Sequence, residues 1–194
     1  VLSIDIETDS KAEEIYCISL YTDDFKKVLI QSSKKLKNAI NCEDEEDLLE
    51  KFKKHVVSLD PDVIVGWNFV DFDLKVINKR MKIYRIKFDI GRDNASVRLR
   101  INDDFFKASK ADVSGRQVLD GIEVLRSSFI KLTNFKLDTA ARHFLGDKKA
   151  IEFESKGTEI ENLFKKNPQK LVEYNLKDAE LVAKILEKSG ALGL

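Results

Sequence analysis

The sequence predicts an α/β domain in which a central mixed sheet is covered by helices on both faces. Three observations carry this. Three strand-like runs follow one another, Val1 to Glu7, Ile15 to Tyr21 and Lys27 to Gln31, which suits a meander. From Glu43 onward, helical patterns of apolar residues alternate with short apolar runs, so helices interleave with strands. The 194 residues are 43% hydrophobic and 35% charged, which suits one domain with a real core spanning 1–194.

Taken in order, Glu43 to Leu59 predicts an amphipathic helix with Leu48, Leu49, Phe52 and Val56 on one stripe. Asp62 to Gly66 reads as a buried strand and Asp71 to about Met81 as a helix. Ser96 to Asp120 holds strand-like pieces without clear alternation. Gly121 to Phe129 and Leu137 to Leu145 read as helices, and Thr158-x-x-Glu161 as a capping box opening a short one. Asn167-Pro168 is an N-cap followed by a first-turn proline. The helix it opens is expected to reach about Lys188, held to the core by Leu171, Leu181, Val182, Ile185 and Leu186.

Composition excludes several classes. The 34 basic and 34 acidic residues cancel, giving no global pull toward duplex nucleic acid. Cys17 falls in an apolar strand and Cys42 in a polar connection, without zinc-ligand spacing, so neither a disulfide scaffold nor a zinc site is expected. A reducing cytoplasm is the natural setting, at the nucleoid if the source is prokaryotic. No signal peptide or membrane-length apolar run is present. His55 and His143, far apart on predicted helices, read as surface or packing residues.

Four carboxylates in three clusters carry the chemistry. Asp5-Ile6-Glu7-Thr8 lies on the first strand. Asn68-Phe69-Val70-Asp71-Phe72-Asp73 follows the buried strand, and Tyr174-Asn175-Leu176-Lys177-Asp178 lies within the last helix. Residues i and i+2 of a strand share a face, so Asp5 and Glu7 project together while Ile4 and Ile6 face the other way. Residues i and i+4 of a helix share a face, which pairs the Tyr174 phenol with the Asp178 carboxylate. Each cluster alone has an ordinary structural explanation. Together, in this order and in these contexts, they spell a metal-dependent nuclease. Phosphodiester hydrolysis needs an activated water and relief for developing charge, and two divalent ions roughly 3.5–4 Å apart supply both. Mg²⁺, or Mn²⁺, asks for a few carboxylates and keeps its remaining positions for water and phosphate. Asp5, Glu7, Asp73 and Asp178 are the expected ligands.

The three clusters resemble the Exo I, Exo II and Exo III motifs of the DnaQ-like 3′–5′ exonucleases: Asp5-x-Glu7, Asn68-x3-Phe72-Asp73 and Tyr174-x3-Asp178. A tyrosine four residues before the last aspartate marks the DEDDy subtype; the histidine of the other subtype would fall at Glu173. Further segments are similar to family B DNA polymerases, most closely the DNA polymerase II branch. They are Ser3 to Thr8, Asp60 to Asn68, Gly91-Arg92-Asp93-Asn94, Asp120-Gly121-Ile122-Glu123 and Tyr174 to Val182.

The resemblance implies an RNase H-like fold with a five-stranded mixed sheet, and proofreading of single-stranded or mismatched 3′ DNA ends with two metal ions. It makes Asp5, Glu7, Asp73, Tyr174 and Asp178 catalytic, and its second motif, Asn68-x3-Phe72-Asp73, favours Asp73 over Asp71 as the ligand. It assigns Thr8, Asn68 and Phe72 to the 3′ end, core packing at the helix start being the other reading of Phe72. It also suggests a supporting role for Asp120 and a phosphate contact near Lys148 and Lys149. The chain starts almost on its first catalytic strand, and no polymerase-type acidic motif follows Asp178. A fragment of a longer polymerase is therefore expected, with the polymerase domain and possibly a sliding clamp as partners and no membrane contact. A free-standing DNA-repair or RNA 3′ exonuclease of the same superfamily is the alternative. A binding module that has lost catalysis is disfavoured by the full carboxylate set.

Overall fold

The computed structural model describes residues 1–102, 107–128, 130–146 and 156–190. The strands are β1 (Leu2–Thr8), β2 (Ile15–Tyr21), β3 (Lys26–Gln31), β4 (Ala39–Cys42), β5 (Val63–Gly66), β6 (Arg98–Arg100), β7 (Lys110–Asp112) and β8 (Gln117–Asp120). The helices are α1 (Glu45–Leu59), α2 (Lys75–Ile83), α3 (Gly121–Ser127), α4 (Leu137–Leu145), α5 (Lys156–Lys166) and α6 (Pro168–Lys188).

A mixed sheet of order β4-β3-β2-β1-β5-β8 forms the centre. The meander β1-β2-β3 is antiparallel, whereas β4 joins β3, and β5 joins both β1 and β8, in parallel. This is the expected α/β architecture with six strands in place of five. The additional strand is β4, which contains Cys42; that cysteine is buried in the sheet and does not lie in a polar connection. The polar run before it hides the strand. Asn38, at φ 58°, turns the chain, and Val28 N–H donates to its carbonyl as β4 comes alongside β3. Separately, β6 and β7 form an antiparallel ribbon, and among the described residues the unpatterned stretch Ser96 to Asp120 holds three short strands.

Both faces of the sheet are covered. On one, Leu2, Ile4 and Ile6 of β1 pack with Leu48, Leu49, Phe52 and Val56 of α1 and with Ile77 and Met81 of α2. On the other, α4 and α6 cover Val65, while α5 and α6 cover Cys17, Val28 and Ile30. Every residue of β2 is therefore buried, and its sequence reads as a near-continuous apolar run broken only by Ser19. Both cysteines are free and buried. Among the described residues no helix is long and apolar enough to cross a membrane.

Several helix starts differ from expectation. The first helix begins at Glu45, capped by Asp44, whose side chain accepts from Asp47 N–H. Thr158 lies inside α5, which already runs from Lys156, so Thr158-x-x-Glu161 is not its capping box. The helix expected over Gly121 to Phe129 is α3, Gly121–Ser127, with Phe129 outside the described residues. The helix expected from Asp71 opens as a wide π turn, Val70–Leu74, before α2 proper. The last helix has the predicted bounds, with Asn167 accepting from Lys170 N–H and Pro168 in the first turn.

Candidate active site

Strands β1, β5 and β8 run parallel, so their carboxyl ends share one edge of the sheet, the usual place for a site in an open α/β sheet. Gly66 ends β5 there. A Cβ at this position would lie 2.4 Å from the Phe69 ring and 2.9 Å from the Ile4 carbonyl, so only glycine lets the chain turn back against β1. Asn68 follows at φ 54°, a left-handed conformation that asparagine tolerates. In the π turn, Leu74 N–H donates to the Phe69 carbonyl five residues back. Asp120, at the end of β8, secures this turn from below: one carboxylate oxygen accepts from Val70 N–H and the other caps α3 at Ile122 N–H. Its expected supporting role is thus visible as hydrogen bonds.

Asp5 and Glu7 leave β1 on the face covered by α6, opposite Ile4 and Ile6. Asp178 and Tyr174 descend from α6, both almost fully buried. Asp5, Glu7 and Asp178 each present an oxygen within 4.8 Å of the others. Asp73 stands next to this trio without belonging to it. Its Oδ1 accepts from Ile6 N–H at 3.0 Å, so the carboxyl is tied to the β1 backbone between Asp5 and Glu7. Asp71, the other acid of the turn, is exposed.

The electrostatics are those of crowded, desolvated acids. Burial pushes Glu7 up to about 8, with Asp5 and Asp178 adding to the shift and Lys156 opposing it. Burial and the adjacent Asp5 push Asp73 well above the usual carboxylate range, despite the bond from Ile6. Tyr174 is raised by burial and then by Asp178 and Glu7, so its phenol keeps its proton. Hard oxygen donors, closely spaced and repelling one another, suit a divalent cation such as Mg²⁺.

Beside the carboxylates lies a groove of about 180 Å³ whose lining includes Glu7, Thr8, Phe72, Lys156 and Gly157. Phe72 is 38% exposed, so it is a groove wall and not a core residue. Thr8 is buried, and its hydroxyl donates to the Asp9 carbonyl, leaving oxygen lone pairs but no free proton. Asn68 is exposed and stands outside the groove lining.

Sequence reasoning missed Lys156. Its Nζ lies 3.1 Å from Glu7 Oε1, at ion-pair distance though not aligned as a hydrogen bond, and 5.7 Å from the centre of the Tyr174 ring. Burial works against its charge, but Glu7 and Asp5 outweigh that and raise its pKa. The available signal was the pair Lys156-Gly157 at a helix start. Gly157 lets α5 approach the loop after β1, where an added Cβ would lie 2.9 Å from Ser10 Cβ. Lys148 and Lys149 lie outside the described residues. Also missed was Glu45, buried at the start of α1, which accepts from Ile15 N–H, from the Arg80 guanidinium and from the Tyr84 hydroxyl. It thereby locks β2, α1 and α2 together next to the site.

The family described as DNA polymerase family B, exonuclease domain, matches residues 1–140. Escherichia coli (strain K12) DNA polymerase II is 36% identical over 200 residues, covering 97% of this chain and 25% of the relative. The DNA polymerase delta catalytic subunit of Mesocricetus auratus is 32% identical over 157 residues, 75% of this chain and 14% of the relative. That of Candida albicans is 30% identical over 153 residues, 74% of this chain and 15% of the relative. The chain thus spans a quarter or less of these polymerases. With the family match over most of its length and that matched segment holding the first two acidic clusters, the chain belongs to the exonuclease domain family of the family B DNA polymerases.

Proposed function

We propose that this chain removes nucleotides from single-stranded or mismatched 3′ DNA ends, as the proofreading part of a longer polymerase. The observation that carries the reading is the convergence of Asp5, Glu7 and Asp178 oxygens within 4.8 Å, with Asp73 anchored beside them. These four carboxylates would hold two Mg²⁺ or Mn²⁺ ions. Bound there, the ions would furnish a water nucleophile at neutral pH and offset charge developing on the phosphate. The remaining roles fall to the chain itself. Lys156 places a cation next to Glu7, where a phosphate entering the groove would meet it. Phe72 offers an exposed ring on which a terminal base can stack, and Thr8 and Asn68 supply polar atoms for sugar or phosphate. A polymerase domain in the same protein, a sliding clamp reached through it and a cytoplasmic or nucleoid setting are the context this implies.

A narrow groove beside the acids takes a frayed end more readily than a duplex. Melting terminal pairs costs a few kcal/mol and less at a mismatch, so mismatched 3′ ends should be trimmed at least about fivefold faster than paired ones. Gel-resolved digestion of end-labelled duplexes, with matched single-stranded DNA and RNA in parallel, tests this. Equal rates on paired and mismatched ends, or shortening from the 5′ end, would refute the proofreading reading. Preference for the RNA strand would favour the RNA exonuclease instead.

Tyr174 is expected to position the attacking water as a neutral phenol and not to bind metal as an anion. Tyr174→Phe should therefore slow single-turnover digestion by roughly tenfold, less than loss of Asp178, and leave metal affinity within about twofold of wild type. A calorimetric titration in which Tyr174→Phe no longer binds Mn²⁺ would make the phenol a ligand and end this division of roles.

A further inference from the structure

The third cluster contains a residue that none of these roles uses. Asn175 is fully buried on α6, between Tyr174 and Asp178. Its Nδ2 lies 2.7 Å from Asp5 Oδ2 and 3.2 Å from the Asp5 main-chain carbonyl. The orientation of the amide follows from chemistry, because an ionised carboxylate and a carbonyl can only accept. One donor group thus engages both the side chain and the backbone of the same aspartate. Ser19, paired with Asp5 across β1 and β2, donates its hydroxyl to that same carbonyl at 3.2 Å but does not reach the carboxylate.

We propose that Asn175 is a positioning residue for metal binding, setting the Asp5 carboxylate in the orientation in which it meets Glu7 and Asp178. The inference rests on the reading of those carboxylates as metal ligands. A helix residue three positions before Asp178 lies on the same face of α6, so one helix both supplies one ligand and orients another from β1. Holding Asp5 in place avoids an ordering cost when a cation arrives, and a charge-assisted bond of 2.7 Å is strong enough to do so. The Oδ1 of Asn175 is buried without a hydrogen-bond partner. A buried polar group left unsatisfied carries a cost, so the residue is not explained as a simple stabiliser of the core.

The test is calorimetric titration with Mn²⁺ of the full chain and of Asn175→Leu, Asn175→Ser, Ser19→Ala and Asp5→Ala. Metal-free melts and single-turnover digestion over a range of Mg²⁺ concentrations accompany it. Asn175→Leu keeps the volume and removes the donor; Asn175→Ser is short of the carboxylate and decides the matter if the leucine variant does not fold. Both should bind Mn²⁺ about 10–100-fold more weakly, the range typical for loss of a residue that orients a ligand. Raised Mg²⁺ should restore their digestion rates, because the ligand set is intact, whereas it should not restore Asp5→Ala. Ser19→Ala, which loses only the backbone contact, should bind within about twofold of wild type. Wild-type affinity in both Asn175 variants, with Asp5→Ala impaired, would overturn the positioning role alone. Wild-type affinity in Asp5→Ala would overturn the metal-ligand reading on which it stands.

Discussion

Replacing Asp5 or Asp178 with alanine is expected to lower 3′-end hydrolysis by at least about 100-fold while the protein stays folded. Each residue supplies an oxygen to the one place where β1 and α6 bring acids together. Neither can be replaced by a neighbour, since Glu7 is already in the trio and Asp73, held to Ile6 N–H through Oδ1, already has its own place in the proposed ligand set. Losing one ligand weakens the hold on the cations that would furnish the nucleophile, and effects of this size are usual when such charge stabilisation is lost. Folding should survive because Asp5 and Asp178 crowd Glu7 and both oppose its ionisation, so deleting either charge lowers the repulsion in the cation-free cluster. In Asp5→Ala the Asn175 amide keeps the main-chain carbonyl as a partner. Single-turnover digestion of a labelled single strand in Mg²⁺, beside thermal melts of each variant, measures both parts. Near-normal Mg²⁺-dependent cleavage by both variants would remove these residues from the site.

The parts of this site that were legible in sequence are those governed by a local period. Alternation on β1 put Asp5 and Glu7 on one face, and the four-residue repeat on α6 put Tyr174 beside Asp178. Asn167-Pro168 set the start of α6 because capping and proline geometry are local as well. What escaped was decided by contacts between distant segments. Lys156 reaches Glu7 only because Gly157 lets α5 settle on the loop after β1. Asn175 sits inside a recognised cluster, yet its partner is 170 residues away. The strand β4 is only four residues long, follows a polar run and is recruited by pairing with β3, which no local pattern announces. The π turn at Val70–Leu74 has the composition of an ordinary helix start. The wider turn accompanies the long-range tie of Asp73 to β1 and the hydrogen bonds that Asp120 makes from β8.

Glu7 should make the stability of the cation-free protein fall as pH rises, and should make cation binding release protons. Its pKa in the folded protein is pushed up to about 8, first by burial and then by Asp5 and Asp178, against the opposing charge of Lys156. In the unfolded chain it returns to the model-peptide range near 4.5. The folded protein therefore holds a proton that the unfolded chain has already lost across that interval. The stabilisation is complete below about pH 4.5 and is lost progressively as pH rises through about 8. A shift of this size corresponds to about 2–4 kcal/mol after allowance for relaxation, or roughly 5–15 °C in melting temperature for a domain of this length. Glu7→Gln has no such proton, so its melting temperature should fall less steeply between pH 5 and 8.5 and should exceed wild type at the alkaline end. Cations bind only the ionised carboxylate, so below about pH 8 binding must expel the proton, and affinity should drop by up to about tenfold per pH unit. Titrations with Mn²⁺ in buffers of different ionisation enthalpy count the protons released, Asp73 included, and the difference between wild type and Glu7→Gln is the share of Glu7. Parallel pH slopes for wild type and Glu7→Gln, together with equal proton release by the two at pH 7, would show that Glu7 is already ionised in its buried position.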